Sequence, residues 1–182
     1  MNADRPILNV ASAILWRADE LLMVRQAGLD EDPHWALPGG ILEDGELLTE
    51  GLAREVAEET GVEVIELGGL AFVLQADSRQ PPRFRRRSGS ETGYLATVWT
   101  FEIRDWRGDV EVRDPDGVVL EAVFVARDEA IARLETVSWH ALTVRYLRGE
   151  IDPGSVVLQR WHRDGRVEDV ARTSPRRPRG TL

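Results

Sequence analysis

Four of the six glutamates between Gly40 and Val62, with the one arginine there, stand at spacings that suit a divalent cation held on a helix. The segment reads G-I-L-E-D-G-E-L-L-T-E-G-L-A-R-E-V-A-E-E-T-G-V. Glu55, Glu58 and Glu59 are three and four residues apart, the spacings at which helical side chains meet, so three carboxylates share one stripe. Such like charges cost about 0.2–0.5 kcal/mol per pair when exposed. In a partly desolvated cleft they cost more and raise one another's pKa. A bound cation reverses the sign of that cost. Oxygen donors select Mg2+, Mn2+ or Ca2+ over zinc, and Mg2+ commonly shares its shell with water and substrate phosphates. Arg54, the one base of the stretch, is expected to point away from the stripe and to pair with Glu46, holding the preceding loop to the helix.

The element that must carry these groups is a helix from Leu47 to Thr60. The segment lacks proline, and Leu, Ala, Glu and Arg favour helix. Gly61 follows where a glycine stop belongs. Leu52, Ala53, Val56 and Ala57 lie mainly on the neighbouring and opposite arc and can face a core. A Glu-rich helix is ordinarily just a solvated face. Against that plain reading stand two glycines, an Arg-Glu pair and a distal Glu46, all in register. The charge is also local. From Glu43 to Glu66 there are nine acids and one base, in a chain whose net charge is −9.

Those residues fill G-x5-E-x7-R-E-U-x-E-E-x-G-U, with U aliphatic, at every specified position. Gly40, Glu46, Arg54, Glu55, Val56, Glu58, Glu59, Gly61 and Val62 occupy it in order. The chain therefore resembles the Nudix hydrolases, the MutT-like family. The resemblance implies an α/β Nudix fold, a mixed β-sheet sandwiched between α-helices. It implies Mg2+-dependent (or Mn2+-dependent) attack of an activated water on the pyrophosphate linkage of a nucleoside diphosphate-X, with a nucleoside triphosphate or related nucleotide as the default. Glu55, Glu58 and Glu59 would hold metal, the Gly40 carbonyl would assist, and Glu46 and Arg54 would orient. Which carboxylate serves as general base stays open. One further carboxylate is expected from the loops before the strand at Ala122–Ala126, with Glu121, Asp116, Asp114 and Glu91 as candidates. The alternatives are an ADP-ribose or dinucleotide pyrophosphatase, or a non-catalytic nucleotide-sensing module. The proline expected of ADP-ribose hydrolases about 16 residues past the motif is absent.

The composition is consistent with that reading. An apolar fraction of 42% is ordinary for a globular core. The net charge argues against broad binding to a nucleic-acid polymer. With no cysteine, disulfides and thiolate metal sites are excluded. No run reaches the length of a membrane span, and the Ile7–Trp16 run lacks a basic leader. A cytoplasmic protein acting on a small nucleotide is expected, and a homodimer is left open.

Along the chain, Ile7–Arg17 and Glu20–Gln26 suggest a hairpin turning at Ala18-Asp19. Pro38-Gly39-Gly40 suggests a tight turn able to approach a ligand closely. Val62–Gln75 is expected to be strand, with a possible break at Gly68-Gly69. Tyr94–Ile103 and Ala122–Ala126 are expected strands, and Asp128–Leu134 and Val137–Leu147 are helix candidates. Residues 1–150 form the expected Nudix domain. Residues 151–172 form a hairpin extension around Asp164-Gly165, and 173–182 an Arg/Pro-rich flexible tail. Arg79, Arg83, Arg85, Arg86 and Arg87 reverse the chain's sign locally beside Phe84. They can neutralise substrate phosphates, with Phe84 stacking on a base, or form only a solvated loop. His34, His140 and His162 show no metal-ligand spacing. Trp35 and Trp99 are expected to pack.

Overall fold

The computed structural model describes residues 5–27, 32–79 and 93–175. Its strands are β1 (Ile7–Ile14), β2 (Trp16–Arg17), β3 (Glu20–Gln26), β4 (His34–Ala36), β5 (Gly39–Ile41), β6 (Glu63–Ser78), β7 (Tyr94–Arg107), β8 (Val119–Ala126), β9 (Ser155–Trp161) and β10 (Val167–Thr173). The helices are α1 (Leu48–Thr60), α2 (Arg127–Leu134) and α3 (Ala141–Leu147), the last entered through a 3-10 turn at Ser138–His140. Among the described residues no helix is long and apolar enough to cross a membrane.

Six strands form a mixed sheet in the order β10-β9-β6-β7-β1-β5. β1 is parallel to β7 and β9 to β6, while the remaining neighbours are antiparallel. A second, antiparallel sheet is built on β3, which pairs β8 on one edge and β2 and β4 on the other. The hairpin at Ala18-Asp19 joins only β2 to β3, because the chain crosses between sheets at Leu15. The Leu15 carbonyl accepts the Leu22 N–H at 2.9 Å.

Side chains on a strand alternate faces, and β3 uses both. Leu21 and Met23 enter one core with Leu134 and Leu142 of α2 and α3 and with Phe72 of β6. Leu22 enters another with Leu52 and Val56 of α1. The helices thus lie on two sides of strand layers, an α/β fold with helices around a mixed sheet.

Three expectations change in detail. The Pro38-Gly39-Gly40 segment is not a turn. Its glycines lie in β5, with Gly39 opposite Ser12 and Gly40 opposite Ala11. Gly39 has φ 142, and a Cβ there would run into the Ala11 carbonyl. The suspected break at Gly68-Gly69 is instead a bulged stretch of one strand, with register shifts between Val64 and Phe72. A Cβ on Gly68 would come within 2.8 Å of the Glu102 carbonyl oxygen, so glycine permits the close approach of β7. The strand expected at Ala122 begins at Val119, which puts Glu121 inside it. Phe84, Arg85, Arg86, Arg87 and Glu91 lie outside the described residues, as does the tail from residue 176.

Candidate active site

α1 is set in place by its ends. The Glu50 carboxylate accepts the Leu47 N–H at 2.9 Å, satisfying one free donor of the first turn. At the other end Gly61 adopts φ 74 and donates to the Ala57 carbonyl. The loop 109–114 then docks on the last turn. Glu111 N–H reaches the Thr60 carbonyl at 2.8 Å, and Arg113 N–H reaches the Glu58 carbonyl at 2.9 Å. Leu52 and Val56 are fully buried, which turns the acidic stripe toward β5.

Glu59 is the deepest of the stripe, 6% exposed, and accepts the Gly39 N–H at 2.8 Å. Burial pushes its carboxyl up to about 8. The neighbouring charges of Glu55, Asp114 and Glu58 add to the rise, and the Gly39 bond opposes it. Burial also raises Glu55, against the pull of Arg54. The Glu55 carboxylate lies over the Cα of Gly40, in the space a Cβ would fill. Backbone and carboxylate meet there only because residue 40 is glycine.

Arg54 forks onto Glu46, with Nε donating to Oε1 at 2.8 Å and Nη2 to Oε2 at 3.0 Å. Its hydrogen bonds hold Glu46 below the usual carboxylate range. Glu46 also accepts the Glu43 N–H, so the loop before the helix is tied down. The expectation that Arg54 points away from the stripe fails. Its Nη1 donates to Glu55 at 2.9 Å and to Glu58 at 3.2 Å. A long guanidinium stem spans one turn and reaches the i+4 carboxylate, so opposite charge draws it over the edge of the stripe.

Among the described later carboxylates, Asp114 is the one whose charge is felt at Glu59. It also shapes its own loop, accepting the N–H groups of Asp116, Val118 and Val119. Glu121 lies on β8 opposite Arg25, its Oε2 4.0 Å from Nη1, with both side chains exposed. Among the described residues no three His, Asp or Glu side chains converge with metal-ligand geometry. Glu55 and Glu58 instead share Arg54, and Glu59 is drawn to Gly39.

A second cluster adjoins β5 through β4. The Arg133 guanidinium lies over the Trp35 ring at 4.0 Å, and His34 meets Trp139 edge-on at 5.5 Å. His140 is tilted against Trp139 and bonds the Trp35 backbone. Burial lowers its pKa to about 3. His140 Nε2 and Arg133 Nη1 are shielded from solvent without a hydrogen-bond partner. Sequence reasoning weighed His34, His140 and Trp35 separately and did not single out Trp139 or Arg133. About a hundred residues separate the two halves of the cluster, and no local spacing relates them.

Comparison with known proteins agrees with this geometry. The NUDIX domain family profile matches residues 6–147. A MutT-like protein of Streptomyces ambofaciens is 45% identical over 65 residues, 35% of this chain and 40% of that protein. The chain thus spans less than half the length of that relative. An 8-oxo-dGTP diphosphatase of Proteus vulgaris is 27% identical over 111 residues, 60% of this chain and 93% of that one. The crystal structure of a MutT protein from Bacillus halodurans superposes with a TM-score of 0.63 at 19% identity, over 91% of this chain and 96% of that one. A family match over most of the chain, and a likeness of fold that extends further, place the protein: it belongs to the NUDIX domain family.

Proposed function

We propose that this protein hydrolyses the pyrophosphate linkage of a nucleoside diphosphate-X, with a nucleoside triphosphate as the leading substrate. The observation that carries the reading is the intact constellation on α1 and β5, in which Gly40, Glu55, Glu58 and Glu59 face one another through Arg54 and Gly39. The donor set is all oxygen, with Glu59 buried and Arg54 as its contacting cation, which fits a hard divalent cation, Mg2+ or Mn2+. When bound, that ion supplies charge neutralisation at phosphorus and a deprotonated water. Glu55, Glu58 and Glu59 would hold it, with the Gly40 carbonyl assisting. Arg54 Nη1 competes for the Glu55 and Glu58 oxygens, while its fork on Glu46 keeps the loop in place.

Water adds to phosphorus, the bridging P–O bond breaks, and the bond electrons leave with the departing phosphate. For a nucleoside triphosphate the products are a monophosphate and pyrophosphate. A carboxylate of the stripe, or Asp114 beside it, accepts the proton. The name of the Proteus vulgaris relative favours an oxidised purine nucleotide. The cluster of Trp35, His34, Trp139, His140 and Arg133 adjoins β5 through β4, and in this reading it packs behind the base subsite. Arg85, Arg86, Arg87 and Phe84 add phosphate and base contacts in this reading, and Glu121 acts only as a partner of Arg25.

Incubating a panel of nucleotides with Mg2+, with and without chelator, and identifying products by mass tests the proposal. Cleavage of a nucleoside triphosphate to monophosphate and pyrophosphate, abolished by chelator, is the expected result. Undiminished cleavage in excess chelator, or none of any nucleotide with Mg2+, overturns it.

A further inference from the structure

The end of the large sheet remote from the acidic helix carries the opposite charge. Asp77, near the end of β6, faces three guanidiniums: Arg5 at 2.6 Å, Arg79 at 3.0 Å and Arg160 at 3.7 Å. One carboxylate cannot neutralise three cations. The β9–β10 turn beside it adds Arg163 and Arg166, against Asp164 and Glu168. Five guanidiniums thus meet three carboxylates, in a chain whose net charge is −9. Arg163 has no carboxylate partner among the described residues, and Arg166 and His162 share Glu168.

The walls of this region are held by backbone. Arg79 N–H donates to the Trp161 carbonyl at 2.8 Å, continuing the β6–β9 ladder past its last strand residue. His162 N–H donates to the Arg166 carbonyl at 2.9 Å, and Asp164 spends one oxygen on the Arg166 N–H. Trp161 is buried and donates to Gln159, which anchors the hairpin. Between these segments lies an open surface cavity of about 520 Å³, lined by Arg79, His162, Arg163 and Asp164. That volume is ample for a small oligophosphate.

The cavity is not the acidic site. Gly40 shares a sheet row with Ala11, Trp99, Val73 and Val156, whereas Trp161 lies five residues farther along β9. At ordinary strand spacings, four strands across and five residues along is roughly 25 Å.

We infer that the cavity between the end of β6 and the β9–β10 turn binds a diphosphate group, with Arg79 and Arg163 as its principal donors. Guanidiniums suit this ligand because their planar fork makes paired, charge-assisted bonds to phosphate oxygens. The ligand can be free pyrophosphate or the phosphates of a nucleotide, and the two are separable.

The test is calorimetric titration of the full chain with inorganic pyrophosphate in excess chelator. Without metal the acidic helix repels the probe, so uptake reports the basic end. The wild type is expected to bind, Arg163→Ala and Arg79→Ala to bind about tenfold or more weakly, and Glu58→Gln to bind as the wild type does. Equal affinity for a nucleoside diphosphate assigns the site to the phosphates alone, and tighter binding assigns it to a nucleotide. Both arginines are exposed enough for the variants to fold, which far-ultraviolet dichroism checks. No uptake by the wild type, or undiminished uptake by both arginine variants, overturns the inference.

Discussion

At the scale of single residues, Glu59 and Arg54 carry the heaviest constraints. Glu59 is buried against a backbone N–H with like charges around it, an arrangement that disfavours its ionised form. Glu59→Gln keeps an oxygen for Gly39 but removes the charge. Hydrolysis is expected to fall by about a hundredfold or more, while the metal-free protein melts no lower than wild type. Steady-state rates and a melting curve check this, and wild-type turnover would remove Glu59 from the mechanism. Arg54 makes four hydrogen bonds to three carboxylates. A lysine ammonium cannot fork onto Glu46 and also reach Glu55 and Glu58. Arg54→Lys is expected to cost about 1–3 kcal/mol, read from the denaturant midpoint at unchanged slope. A midpoint equal to the wild type would mean that the fork contributes nothing.

At the scale of elements, the contact between β5 and α1 matters most. Gly39 and Gly40 let a strand lie directly under a helix face. Gly39 bonds Glu59, and Gly40 leaves room for the Glu55 carboxylate. Gly40→Ala would place a methyl on that carboxylate. The clash is with the far end of a flexible side chain, so the helix stays and Glu55 moves. Activity is expected to drop by about tenfold or more, with a melting temperature within a few degrees of wild type. An active Gly40→Ala enzyme would show that Glu55 has no fixed role. At the other end of α1, the loop 109–114 satisfies carbonyls of the last turn and so brings Asp114 to Glu59. The docking site of that loop left no signal in the sequence, since backbone hydrogen bonds between distant segments leave no spacing to read.

At the scale of the whole molecule, packing of α2 and α3 on the strands holds His140 neutral. Its pKa lies at about 3, against 6.5 for a free imidazole. Below pH 6.5 the unfolded chain therefore takes up a proton that the folded chain refuses. The unfolded state binds more protons, so stability present above pH 6.5 is lost as pH falls toward 3. Chemical denaturation between pH 7 and pH 5 is expected to show a shallower loss for His140→Gln than for the wild type. Equal slopes would mean that His140 is solvated.

The sequence by itself determined the motif, the helix that carries it and most of the strands, because these rest on local periodicity and on residues within about two turns of one another. Glu46 pairs with Arg54 as their spacing suggested. The reach of Arg54 to Glu55 and Glu58, the strand conformation of Gly39-Gly40 and the grouping of Trp35 with Arg133 and His140 were decided only in the tertiary structure. So was the joining of the C-terminal hairpin to β6, which sets arginines from residue 5 to residue 166 around one end of the sheet. Each depends on which segments far apart in the chain become neighbours. That is settled by the burial of alternating strand faces against helices from both halves, a collective property that no short stretch of sequence contains.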